Sequence, residues 1–144
     1  MSSPAMQRNS GAYVEPVYAA AASGSTSYNG VAIDRNALGS LYLSAKVAVP
    51  YEASLGAGAT DTFTIAVQDG ASSTAFDDYA EAQSVVIGDA SSTGAQTLTG
   101  AASVDVDLSG ARQYVRVVIG GASGSTSVTA GAAVMVMGGG DVRL

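Results

Sequence analysis

The stretch VDVDLSGARQYVRVVI, Val104–Ile119, opens with two carboxylates two residues apart, Asp105 and Asp107, and carries two arginines, Arg112 and Arg116, into an apolar run. Taken as chemistry, the acids are half of a hard-cation site and the arginines an anion clamp. A second cluster, DDYAE at Asp77–Glu81, sets three carboxylates around Tyr79. Paired carboxylates perform glycoside hydrolysis when one of them stays protonated. The remaining tools of catalysis are missing from the sequence, which contains no His and no Cys. That removes the commonest general base and the Ser-His and Cys-His pairs. It also removes the ordinary zinc, copper and iron ligands and any disulfide. GAGA at Gly56–Ala59 and GGG at Gly138–Gly140 lack a following Lys-Ser/Thr, so neither is a phosphate loop.

The elements that must carry these residues have a period of two. In SLYLSAKVAV, Leu41, Leu43, Ala45, Val47 and Val49 alternate with Ser40, Tyr42, Ser44 and Lys46, and Pro50 is expected to end the strand. DTFTIAVQDG places Phe63, Ile65 and Val67 on one face. AQSVVIG, AQTLTGAASVDVDL (one strand or two), QYVRVVIG and AAVMVMGG continue the series, separated by Gly/Ser/Ala/Thr loops that include GGASGSTSVTAG. A weak helical turn is conceivable only around Phe76–Ala82. Short β-branched runs between turn clusters predict an all-β sandwich or barrel, and the chain is read as an antiparallel, jelly-roll-like β-sandwich. Residues 31–144 are read as one sandwich domain. Residues 1–30, with Pro4, Pro16 and an alanine run, are read as an extended or flexible N-terminal arm, the alternative being an edge strand around Ala12–Tyr18. ASGSTS occurs at both Ala22–Ser27 and Ala122–Ser127 and is read as loop composition.

This periodicity reassigns the candidate residues. On a strand, successive side chains take opposite faces, so Val104, Val106 and Leu108 face the core while Asp105 and Asp107 face water. Two strand carboxylates fall short of the six to eight oxygens calcium needs. DDYAE is read as an exposed acidic loop. Val115, Val117 and Ile119 form a buried face, with Tyr114, Arg116 and Val118 opposite. Two geometries remain for the arginines. A tight connection at Leu108–Ala111 sets Asp107 across from Arg112 as a strand pair; a connection crossing between sheets turns the arginines toward another subunit. Tyr114 is either an amphipathic residue on a half-exposed face, the preferred reading, or a tyrosine corner whose hydroxyl bonds a nearby backbone group.

Composition narrows the partners. The chain has 144 residues, 47% hydrophobic with alanine prominent, but only 6% aromatic and 12% charged. A surface so poor in charge is poorly defended against association, which points to life in an assembly. The net charge is −6, with no Lys or Arg between Lys46 and Arg112, so direct nucleic-acid binding, which needs cations on phosphates, is not expected. No run approaches the ~20 apolar residues of a membrane span, and the N-terminus lacks the basic and apolar regions of a standard secretory signal. No cofactor or metal is expected, and the chain is not read as an enzyme.

The order of the last strands also carries a resemblance. A Val/Asp strand, then Leu108, Ser109, Gly110, Tyr114, Val115, Arg116 and Val117 in DLSGARQYVRV, then a Gly/Ser/Thr loop and GAAVMVMGG, resembles small virion structural proteins of tailed bacteriophages. The likeness is greatest to β-sandwich head decoration (cement) proteins. AIDRNALGSLYLSAKVAV with DTFTIAVQDG resembles the opening strands of the same family. The resemblance spans about Val31–Gly139. It implies a protein that binds the outer capsid surface and stabilises the phage head. Its partners would be the major capsid protein and copies of itself, as a homo-oligomer such as a trimer. It would be made in the host cytoplasm and reside on the capsid exterior, the arm ordering on neighbouring subunits. Arg112, Arg116, Tyr114, Asp105 and Asp107 are then subunit or strand-pair contacts. YVRV also resembles galactose-binding jelly rolls, although their loop Trp and His are missing here. The alternatives are a carbohydrate-binding module on the virion exterior, using Tyr51, Tyr79, Asp77 and Asp78, and a tail or head–tail connector component.

Overall fold

The computed structural model describes residues 13–16, 22–23, 27–38, 41–123, 127–130 and 133–138. Eleven strands carry them: β1 Tyr13–Pro16, β2 Ala22–Ser23, β3 Tyr28–Asn29, β4 Ile33–Asp34, β5 Ser44–Leu55, β6 Thr60–Gly70, β7 Asp77–Gly88, β8 Gln96–Asp107, β9 Tyr114–Ser123, β10 Ser127–Ala130 and β11 Val134–Gly138. Arg35–Leu38 forms a single 3-10 turn. All strand pairs are antiparallel and make two sheets. In the first, β8 pairs with one side of β5, while β11 and β10 share the other side and are extended by β1 and β2. The second runs β7-β6-β9, with β3 and β4 in succession on β9. This is the antiparallel sandwich that the alternation predicts. The chain crosses between sheets after β5 and again after β7, so β8 returns beside β5 in a Greek-key path.

The core sits between the sheets where the alternation places it. Phe63, Ile65 and Val67 of β6 and Val115, Val117 and Ile119 of β9 face Val47 and Val49 of β5, with Met135 and Met137 of β11 beside them; all are buried. Tyr51 meets Phe63 edge-on at 5.8 Å between ring centroids.

Several expectations need correction. Pro50 does not end its strand, because β5 continues to Leu55. On one side of β5, β11 pairs as far as Ala48 and β10 begins at Tyr51, so Pro50 falls in the gap between two partners. The Leu41/Leu43 phase is not maintained either. The strand starts at Ser44, and ahead of it Tyr42 is buried while Leu43 is 38% exposed. Phe76–Ala82 contains no helical turn, and DDYAE is not a loop: β7 runs from Asp77, with register shifts opposite Ile65–Gln68. The segment after Ile119 is more strand than loop, since β9 extends to Ser123 and β10 pairs with Tyr51–Ser54. Gln96–Asp107 is one strand rather than two.

Within residues 1–30, the described pieces lie on the sheets. Tyr13–Pro16 pairs with Val134–Met137, Ala22–Ser23 with Thr129–Ala130, and Tyr28–Asn29 with Val118–Ile119. Residues 1–12, 17–21 and 24–26 of the arm, and half of each ASGSTS copy, lie outside the described residues.

The burial contrast sets a test. Phe63→Ala should cost about 3–5 kcal/mol, as buried aromatic truncations do. Val86→Ala, at a side chain 66% exposed, should stay within about 0.5 kcal/mol. Urea midpoints of the two variants measure both.

Candidate functional site

The segment between β8 and β9 crosses from the first sheet to the second, and Arg35, Asp69, Asp77 and Asp107 bond to it. It leaves β8 through a tight turn in which the Asp107 carboxylate accepts the Ser109 N–H at 2.8 Å and the Leu108 carbonyl accepts the Ala111 N–H at 3.1 Å. The Ser109 bonds hold the Asp107 carboxyl below the ordinary carboxylate range. Leu108 is fully buried as a plug, and its N–H donates to the Leu43 carbonyl at 2.8 Å.

Arg35, 4% exposed, enters this crossing from the 3-10 turn. One guanidinium nitrogen donates to the carbonyls of Tyr42 at 2.9 Å and Leu108 at 2.8 Å. The other donates to the carbonyls of Ala111 and, at 3.1 Å, Arg112. Its backbone N–H donates to the Gln113 carbonyl at 2.9 Å. The side-chain Nε has no partner. Burial lowers the guanidinium below its ordinary value, opposed by Tyr79 and Asp69 nearby.

Arg112 turns the other way. Its Nε and Nη2 donate to Asp69 Oδ1 at 3.0 and 2.7 Å, its own N–H to Asp69 Oδ2 at 2.8 Å, and Nη2 also to the Asp69 carbonyl at 2.9 Å. Nη2 reaches Asp77 as well, at 2.7 Å. The hydrogen bonds from Arg112 outweigh the burial of Asp69 and hold its carboxyl below the usual range; the same contacts raise Arg112 above its own. Asp69 ends β6 beside Gly70, where a side chain would meet the Ala75 carbonyl at 2.0 Å. Only glycine lets the Ala71–Phe76 turn fold back there.

Arg116 makes a second tie to the same turn. Its Nε and Nη2 donate to Gln68 Oε1 at 2.9 and 2.7 Å, and its guanidinium carbon lies 4.3 Å from the centre of the Phe76 ring. Gln68 in turn donates to Asp78 at 2.8 Å.

The structure thus settles where each candidate stands. Asp107 is not paired with Arg112. It lies across from Ser44 in the first sheet, while Arg112 leads into the second, because the connection crosses between sheets. Both arginines are engaged within the chain rather than held out as free cations. Asp105 lies opposite Lys46, 3.5 Å away, both side chains well exposed. Such a pair contributes about 1 kcal/mol at most. It lines a shallow groove of about 500 Å³ with Val106, Val136 and Gly138. Tyr114 is half-buried, opposite Asp34 and Gly70. The hydroxyl that bonds a distant backbone carbonyl is that of Tyr79, which donates to Asp107 at 2.7 Å and ties β7 to β8.

Chemically this is a clamp. A general acid needs a raised carboxyl pKa, whereas Asp69 is pushed down. The acids offered for sugar or calcium are already engaged, Asp77 with Arg112 and Asp78 with Gln68. Among the described residues, no group of three or more carboxylates is placed to hold a metal ion, and no helix is long and apolar enough to cross a membrane. Sequence reasoning missed Arg35 and Asp69. For Asp69 a signal existed: Asp61 and Asp69 share the inward phase of Phe63, Ile65 and Val67, and both are buried. Arg35 lies in no periodic run and left none.

No family model matches the chain, and no curated protein matches it. Among solved structures, the fold is shared with the PBSX exported protein XepA. The TM-score is 0.53 at 16% identity, over 94% of this chain and 40% of that one. The chain therefore spans two fifths of that protein's length, and the likeness is one of fold.

Two outcomes follow. Arg35→Met should cost about 3 kcal/mol or more in urea unfolding, since several buried carbonyls lose their donor. Arg35→Lys should rescue little, because an ammonium cannot reproduce the planar fork. The depressed Asp69 carboxyl makes stability depend on acid: its contribution is complete above an unfolded-state pKa of about 3.9 and is lost as pH falls through the lower folded value. Asp69→Asn should therefore flatten the acid limb of a stability–pH profile below about pH 4 and leave a lower plateau near neutrality.

Proposed function

We propose that this chain is a structural component of a tailed-bacteriophage virion, a decoration protein that binds the outer surface of the head and stabilises the shell. Its partners are the major capsid protein and further copies of itself, and it works without cofactor or catalysis on the capsid exterior. The observation that carries the reading is the β8–β9 crossing. The residues that resemble the cement-protein signature, Leu108, Gly110, Tyr114 and Arg116, lie in or beside a clamp that fixes two sheets together. The arginines that could have served chemistry are spent on holding the fold. The fold shared with XepA, an exported protein of the PBSX prophage, supports a phage association. It supports equally a place outside the cell.

Purified protein added to phage heads that lack it should decorate them at regular positions in electron micrographs and raise the temperature at which they rupture. Density on the tail or at the neck would move the chain to the connector reading. Loss of decoration by an excess of free sugar would favour the carbohydrate module.

A further inference from the structure

The margins of the two sheets are not equally protected. A free edge presents a row of unpaired N–H and C=O groups, and soluble proteins blunt it with short strands, bulges, prolines or charges. The margins formed by β1, β2, β3 and β4 are each two to four residues long. The margin formed by β7 is long, but it is broken by register shifts and carries Asp77, Asp78 and Glu81. β8 is long and unbulged, and its charges, Asp105 and Asp107, are confined to one end. It pairs with β5 over twelve consecutive residues without a shift, and among the described residues no strand pairs with its other side. From Gln96 to Val104 it has no charge and no proline. Its centre is Gly100–Ala101–Ala102, small enough for another backbone to come close. At Gly100 the inner face is covered by the Tyr51 ring instead of by a side chain of β8.

We propose that β8 pairs antiparallel with β8 of a second copy across a two-fold axis near Ala101, joining the first sheets of two protomers into one continuous sheet. The placement of charge selects this occupant and this direction. At a net charge of −6, two copies repel unless their acids are kept apart. The acids of β8 are both at one end, Asp105 and Asp107. Parallel pairing would set them side by side. Antiparallel pairing puts them beside Gln96–Thr99 of the other copy, which are uncharged. The contact is isologous, so it closes at two copies and leaves no further edge of this kind. Twelve residues at about 3.3 Å each give a seam about 40 Å long, with roughly ten backbone hydrogen bonds, since Tyr79 already holds the Asp107 carbonyl at its end. The outward residues Thr97, Thr99, Ala101 and Ser103 are small and exposed. This names the contact between copies that the capsid reading leaves open, and makes the unit a dimer. It concerns the isolated protein, so its failure and that of the capsid reading are separable.

Sedimentation of the full chain from 1 to 200 μM, with hydrogen exchange at both ends of that range, tests the pairing. A dimer is expected whose rise with concentration protects amides of Gln96–Asp107 and of no other strand. Thr99→Lys with Ala101→Lys sets like charges near one another across the axis and should weaken the dimer at least tenfold. Ser84→Lys on the bulged β7 edge should leave it unchanged. A monomer throughout the range would overturn the proposal. So would a dimer protected elsewhere, or β8 protection that appears only on phage heads. If the double variant fails to fold, exchange on the unmodified protein decides alone.

Discussion

A buried cation held by backbone carbonyls sets the geometry of this molecule. Taking a guanidinium out of water costs several kcal/mol, and no carboxylate lies within ion-pair distance of Arg35 among the described residues. The cost is offset by charge-assisted bonds to carbonyls drawn from three places in the chain: Tyr42 before β5, Leu108 at the end of β8, and Ala111 and Arg112 at the approach to β9. Each bond is directional, so these segments cannot slide past one another while the guanidinium stays satisfied. The inward turn of Tyr42, the burial of Leu108 and the aim of Arg112 all follow from that constraint.

Arg112 and Arg116 extend the constraint outward. Asp69 receives both the guanidinium and the backbone N–H of Arg112, so the end of β6 is fixed to the start of β9 by side chain and main chain together. Gln68, one residue earlier, is fixed to Arg116, whose guanidinium also covers Phe76. Tyr79 then carries the linkage across to the first sheet. The sandwich is thus tied at one end by polar groups and filled in the middle by Val, Ile, Met and Phe. A chain with few aromatics and no disulfide has little else to join two sheets at their rim.

What the sequence disclosed was local, and what it concealed depended on topology. Alternation alone placed Val115, Val117 and Ile119 inside and Asp105 and Asp107 outside, because each strand reports its own two faces. It could not foretell the tolerance of Pro50, which depends on two partner strands meeting opposite it. It could not join Arg112 to Asp69, 43 residues apart, because the path from β8 to β9 had to be known first. The phase of Asp61 and Asp69 was a signal of burial that sequence reasoning passed over, and it names no cation to answer Asp69. Arg35 left no trace, since a lone arginine between two short runs looks like any solvated residue until the carbonyls gather around it.

The pairing of β1 with β11 bears on how the chain reaches this state. Tyr13 lies opposite Met137, so that rung closes a loop that takes in every other strand of both sheets. Loop-closure entropy is paid before such a contact returns anything, and folds dominated by distant pairings form slowly. β11 must already rest on β5 before β1 has an edge to join. The first strand of the sandwich in sequence order is therefore among the last to find its place, since the chain through Met137 must be made before it can.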